Sequence, residues 1–215
     1  TGRALGAATA IVITVEPNND SDPAPAATKI AAGDVAGGAA TLTVGHGAAL
    51  GNTFTSATGT YILATPTDGP NSNERSGVWF LDARSGSPAA GLSLPALPAG
   101  WRYEGWAVIN GMPVTTGTFR TATGADMAAP FSGPQSGPPF PGEDFLRNAP
   151  AGLSFPVDLR NDMVVVTIEP DPDDSPMPFI LKPLSGTVPE TAMDHVNFSL
   201  ANGAMSFPTG RAVIR

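Results

Sequence analysis

The chain has no cysteine, only two histidines, and charged side chains at just 14% of its 215 positions. Without cysteine there is no disulfide, no thiolate metal site and no thiol nucleophile. Eleven Lys and Arg residues are scattered among nineteen Asp and Glu, leaving a net charge of −8 and a pI near 4.5. Binding a phosphate backbone requires clustered cations, so nucleic acid and anionic membranes are excluded as partners. No stretch approaches the roughly 18 consecutive apolar residues of a membrane span, and no segment carries a convincing helical period. Acidity of this size mainly serves solubility.

What is present forms β-structure. Hydrophobic residues make up 41% of the chain and are punctuated by 25 Gly and 23 Pro, short of a low-complexity composition. Alternating or β-branched runs bounded by turn residues predict strands at 10–16, 27–33, 40–45, 59–66, 77–83, 101–109, 112–120, 163–169, 178–186, 195–200 and 211–215. Asn110-Gly111 predicts a two-residue hairpin, because a type I′ turn needs positive φ at both central positions. GEDFLR (142–147) is the one candidate for a short helical turn. The Pro-rich segment 128–145 and the polar segment 67–77 read as surface loops.

One phrase occurs twice. ITVEPNNDSDPAP (13–25) and VTIEPDPDDSPMP (166–178) align without a gap at an offset of 153 residues (169 − 16, from Glu16 and Glu169). The same offset pairs Val12 with Val165, Pro17 with Pro170, Asp20 with Asp173, Lys29 with Lys182, Gly33 with Gly186 and Val35 with Val188. Beyond it the match loosens, TLTV (41–44) facing NFSL (197–200) and GTYILA (59–64) facing GRAVIR (210–215). The expectation is an all-β, antiparallel β-sandwich or barrel with an internal repeat of terminal hairpin units. One domain over 1–215 is expected, its copies at about 11–64 and 164–215 flanking a central 65–163 segment, because neither copy is large enough to bury a core alone.

Candidate chemistry is sparse, and no residue is assigned a catalytic, cofactor-binding or metal role. His195 and Asp194 suggest two members of a Ser-His-Asp triad, but adjacent residues of a strand point to opposite faces. Glu16 and Glu169, equivalent by the repeat, suggest a carboxylate pair. Each precedes Pro at a strand end, where a carboxylate accepts turn N–H groups. The turns hold candidate calcium ligands at Asp20, Asp22, Asp171, Asp173 and Asp174, without the Gly and terminal Glu of an EF-hand loop. The ordinary reading of such turns is solvated charge. Trp79, Phe80, Trp101, Tyr103, Trp106 and Phe119 could make a carbohydrate platform if they faced outward, but a core with one edge contact is favoured.

Residues 91–119 followed by 164–186 resemble the extracytoplasmic domain of the anti-sigma-K factor family. The matching residues are Leu94, Pro98, Gly100, Tyr103, Trp106, Val108, Gly117 and Phe119, then Val166, Thr167, Glu169, Pro170, Ser175, Pro178 and Gly186. The resemblance covers roughly 59–188 and implies a β-sandwich-like extracytoplasmic module with no catalytic residues, of the kind found in exported bacterial proteins and lipoproteins. Asp173 and Asp174 replace the family's glycines, and the sigma-binding segment and membrane helix have no counterpart in these residues.

Two functional readings follow. The first is a non-enzymatic, extracellular structural subunit that assembles through its terminal strands into a filament or surface layer by strand exchange or augmentation. The second is a monomeric cell-surface or periplasmic sensing or binding module whose repeats pair within one chain. Low Lys and Glu content supports an extracytoplasmic setting for both. A first residue other than Met is expected either of a chain whose leader was removed or of one that was trimmed, and the second reading is either periplasmic or held by a lipid anchor upstream of Thr1. No cofactor is expected in either case.

Overall fold

The computed structural model describes residues 5–18, 20–173 and 175–214. The chain opens with β1 (Ala10–Thr14), β2 (Lys29–Asp34), β3 (Ala39–Thr43) and β4 (Thr58–Leu63). Its middle holds β5 (Gly77–Trp79), β6 (Leu81–Asp82), β7 (Ala89–Ala90), β8 (Leu92–Ser93), β9 (Trp101–Ile109), β10 (Met112–Phe119) and β11 (Gly142–Asp144). It closes with β12 (Met163–Pro170), β13 (Leu184–Thr187), β14 (Phe198–Asn202) and β15 (Thr209–Val213). Among the described residues the helical content is two single 3-10 turns, Glu74–Ser76 and Ala204–Ser206.

These strands form two main antiparallel sheets and the small β6-β7 ribbon. The small sheet runs β1-β2-β3-β15, and the large one runs β10-β9-β12-β13-β14-β4-β5-β11 with β8 also on β4. The large sheet nearly closes on itself: Met127 donates to the Thr118 carbonyl (2.9 Å) at β10, while Asp126 accepts from Gly142 N (3.0 Å) at β11. The main core joins Ile30, Ala40 and Leu42 of the small sheet to Tyr61, Leu63, Trp101, Tyr103, Val166 and Ile168 of the large one. At the β9–β10 hairpin, Asn110 (φ 51°) and Gly111 (φ 83°) both take positive φ, as the type I′ turn demands.

Three local expectations are corrected. GEDFLR does not start a helix; Gly142–Asp144 pairs with β5, and the Glu143 and Asp144 carboxylates are buried as acceptors of local N–H and O–H groups. The Pro-rich segment before it is more than a surface loop, since Phe140 packs on Trp79 and Ile62 in a second apolar cluster and Ser132 is buried. An apolar outer face on β4 and β5 needs that cover. The strand expected at 178–186 is regular only from Leu184, because Pro178 and Pro183 have no N–H to give to a ladder. Ile168 still donates to the Leu181 carbonyl (2.9 Å), so the segment follows β12 irregularly.

The doubled phrase occupies two hairpins of the same register. β1–β2 pairs Ala10 with Asp34, Ile11 with Gly33, Val12 with Ala32 and Ile13 with Ala31. β12–β13 pairs Met163 with Thr187, Val164 with Gly186, Val165 with Ser185 and Val166 with Leu184, each residue displaced by 153. The hydrogen bonds outside the ladders follow suit: Ala26 N and Phe179 N donate to Glu16 and Glu169 (3.2 and 2.8 Å), and Asp22 N and Ser175 N to Asp20 and Asp173 (2.8 and 2.9 Å).

The third strands extend the parallel with a correction of two residues. Ala32 pairs with Thr43 and Ser185 with Ala201, which sets Thr41 against Ser199 instead of Asn197. The fourth strands are exchanged. β4 follows β3 in the chain but pairs with β14, through Gly59–Leu200, Thr60–Ser199 and Tyr61–Phe198. β15 follows β14 but pairs with β3, through Gly210–Leu42, Arg211–Thr41 and Ala212–Ala40. Phe54 and Phe207, also 153 apart, pack ring to ring at 5.6 Å just before those strands.

Candidate functional site

The two hairpins differ in what lies outside them. β12 pairs on one side with β13 and on the other with β9, Val165 opposite Trp106 and Val166 opposite Gly105. β1 pairs with β2, and among the described residues nothing pairs with its other edge. Exposure records the difference: Val165 and Val166 are 4% and 0% exposed, Val12 and Ile13 39% and 46%. At the opposite side of the small sheet β15 is also an edge among the described residues. Its counterpart β4 is covered there by β5, with Ile62 opposite Trp79. Ile62 is 5% exposed and Val213, its equivalent on β15, is 50% exposed.

A bare strand edge invites pairing, and proteins usually blunt it with proline, charge, a bulge or short length. The large sheet uses these devices. β10 contains Pro113 and a register shift between Thr115 and Gly117, and β11 is three residues long and buried. β1, AIVIT, has no proline and no charge, and its bulge comes only at its last residue, between Ile13 and Thr14. β15, TGRAV, has a single charge at Arg211.

The catalytic candidates do not assemble into a site. His195 lies before β14, with φ 56°, so the expected strand over 195–200 begins only at Phe198 and the opposite-faces expectation for Asp194 and His195 is corrected. His195 Nδ1 stands 3.8 Å from Asp194 and Nε2 3.5 Å from Glu74. Among the described residues no hydroxyl hydrogen-bonds to it. His46 accepts from Ala48 N at Nδ1 (3.1 Å) and reaches Asp34 with Nε2 (3.3 Å), which ties down a turn. Glu16 is exposed and Glu169 buried, each held by the N–H ten residues on.

The calcium candidates are also dispersed. Asp20 and Asp22 accept backbone N–H groups two residues ahead, Asp173 does the same, and Asp171 is engaged by Arg102 (3.6 Å) and Arg120. Asp174 lies outside the described residues. Among the described residues no group of three or more His, Cys, Asp or Glu is placed to hold a metal ion. All six aromatics of the carbohydrate platform are buried. Trp79 Nε1 donates to Asp144 (2.7 Å) and Trp106 Nε1 to Thr167 Oγ1 (2.8 Å).

No family model, no curated protein and no solved structure matches this chain.

Sequence reasoning missed a set of buried acids. Glu104 on β9 faces Thr167 and lies diagonal to Glu169 on β12, accepting from Thr115 Oγ1 (2.5 Å). Asp126 lies just before the Pro-rich segment and Glu143 near its end; Glu143 accepts from Ser132, from Phe131 N (3.3 Å) and from Asp144 N (3.0 Å). Burial pushes Glu104, Asp126 and Glu143 up to about 7, and raises Asp144 and Glu169 as well. The hydrogen bonds of Asp126, Glu143, Asp144 and Glu169 pin loops to the large sheet, and that of Glu104 ties β10 to β9. Nothing in the spacing of these acids marks them, since burial comes from segments distant in sequence. The uncharged β-branched run of β1, legible in the sequence, lies on a strand edge with which nothing pairs among the described residues.

Proposed function

We propose that this chain is a non-enzymatic structural subunit that assembles with copies of itself, edge to edge, into a filament or surface layer outside the cytoplasm. One observation carries the reading: β1 is an apolar, uncharged edge strand whose equivalent in the same molecule, β12, is covered by a further antiparallel strand. β1 and β15 are each already paired inside the chain, so the mode proposed is addition to a complete sheet and not exchange of a missing strand. Dispersed histidines and loop-pinning acids favour a structural role over catalysis. Size exclusion and negative-stain imaging of the concentrated protein test it: ordered oligomers or fibres are expected, and a uniform monomer field would remove it.

A second reading is a monomeric cell-surface or periplasmic binding module like the anti-sigma-K factor domain. It is favoured by the pairing of both terminal strands within one chain and by the placement of the motif residues Tyr103, Trp106, Phe119 and Glu169 on the neighbouring strands β9, β10 and β12, where Tyr103 stacks on Phe119. A monomer at high concentration that retains its fold supports this reading over the first.

A further inference from the structure

We infer that the β15 edge of one chain pairs antiparallel with the β1 edge of the next, so that small sheets join head to tail. This rests on the self-assembly reading and specifies its interface. Each half of the argument comes from the large sheet, where the same four-strand unit, β12-β13-β14-β4, is flanked on both sides: by β9 beyond β12 and by β5 and β8 beyond β4. The small sheet has the same ladder registers and, among the described residues, neither flanking strand. Both of its edges therefore present apolar side chains, Val12 and Ile13 on β1 and Val213 on β15, at positions whose counterparts are covered.

Direction and charge decide what covers them. Three successive antiparallel pairings, β1-β2, β2-β3 and β3-β15, leave β15 running opposite to β1. A second copy in the same orientation thus continues the antiparallel alternation without being turned over. One interface of this kind uses one edge of each type and leaves neither bare inside an assembly. Two-fold pairing needs two different interfaces to do as much, and a β15 pair centred on its middle residue sets Arg211 against its own copy, a destabilising like-charge pair. A head-to-tail contact that does not close into a ring gives a filament.

The chain has no cysteine of its own, so single thiols report the geometry cleanly. Two variants, Val12→Cys and Val213→Cys, both leaving Arg211 in place, are assembled separately and together and treated with a short thiol-to-thiol crosslinker. Covalent dimers are expected only in the mixture, and the double variant should give a ladder of higher oligomers. Crosslinking of either single variant to itself, or assembly with no crosslink in the mixture, overturns the head-to-tail interface while self-assembly stands. Failure of the unmodified chain to assemble at any concentration overturns both.

Discussion

Val12 and Val165 hold the same place in the same hairpin register, Val12 opposite Ala32 and Val165 opposite Ser185, yet one is 39% exposed and the other 4%. The difference is β9, which lies along β12 and has no counterpart along β1 among the described residues. Two similar hairpin sequences are thus read by the fold as a central strand and, among the described residues, as an edge.

That contrast predicts unequal costs for equivalent truncations. Val166→Ala removes buried methyl groups and should destabilise the chain by about 2 kcal/mol, whereas Ile13→Ala in the dilute protein should cost under about 1 kcal/mol. Urea unfolding of the two variants checks this. Equal losses would mean that the β1 face is covered in solution by something within the chain.

Phe54 and Phe207 pack against each other at 5.6 Å where the exchanged fourth strands begin. Each to Ala should cost about 3 kcal/mol or more, and the double variant should fall short of the sum by about 1 kcal/mol, the coupling of a direct aromatic pair. Additive losses in a double-mutant cycle would show that the two rings act separately.

Acidification should stabilise the fold. Glu104, Asp126 and Glu143 are pushed up to about 7 from ordinary values of 4.5, 3.8 and 4.5, chiefly by burial. An acid whose folded pKa lies above its unfolded one binds its proton more tightly when folded. Its contribution is complete below the unfolded pKa and is lost as pH rises through the folded value, so stability should fall between about pH 4.5 and about pH 7. Asp82, lowered to about 2 by its hydrogen bonds from Arg84, acts in the opposite sense, but only below about pH 4. Urea midpoints across the window measure the slope, and Glu143→Gln should make it shallower. A midpoint that stays level or climbs with pH, in the unmodified chain, would show that these acids are solvated.

Strand positions were readable because β-branched alternation and turn residues are local signals: AIVITVE, WRYEGWAVI and the Asn110-Gly111 turn each specify their own geometry. The doubled phrase indicated two similar hairpins. It did not indicate that β4 would join β14 and β15 would join β3, since nothing in either strand states which of two similar edges it will meet. GEDFLR shows the same limit. Its acidic start fits a helix N-terminus, but Phe140 just before it covers Trp79 and Ile62, its first three residues pair with β5, and its carboxylates are buried. β1 and β15 were legible as strands, and only the sheet order revealed that each has a side with which nothing pairs among the described residues.

The central claim is that the β1 edge carries self-assembly, and analytical ultracentrifugation over a range of concentrations tests it most directly, with the unmodified chain beside Val12→Lys. A lysine on an edge strand opposes further pairing without touching the core. The predicted result is a mass that grows with concentration for the unmodified chain and stays at one subunit of 21.8 kDa for the variant. An unmodified chain that remains a single subunit at the highest concentration, or a variant that assembles as readily, would contradict it.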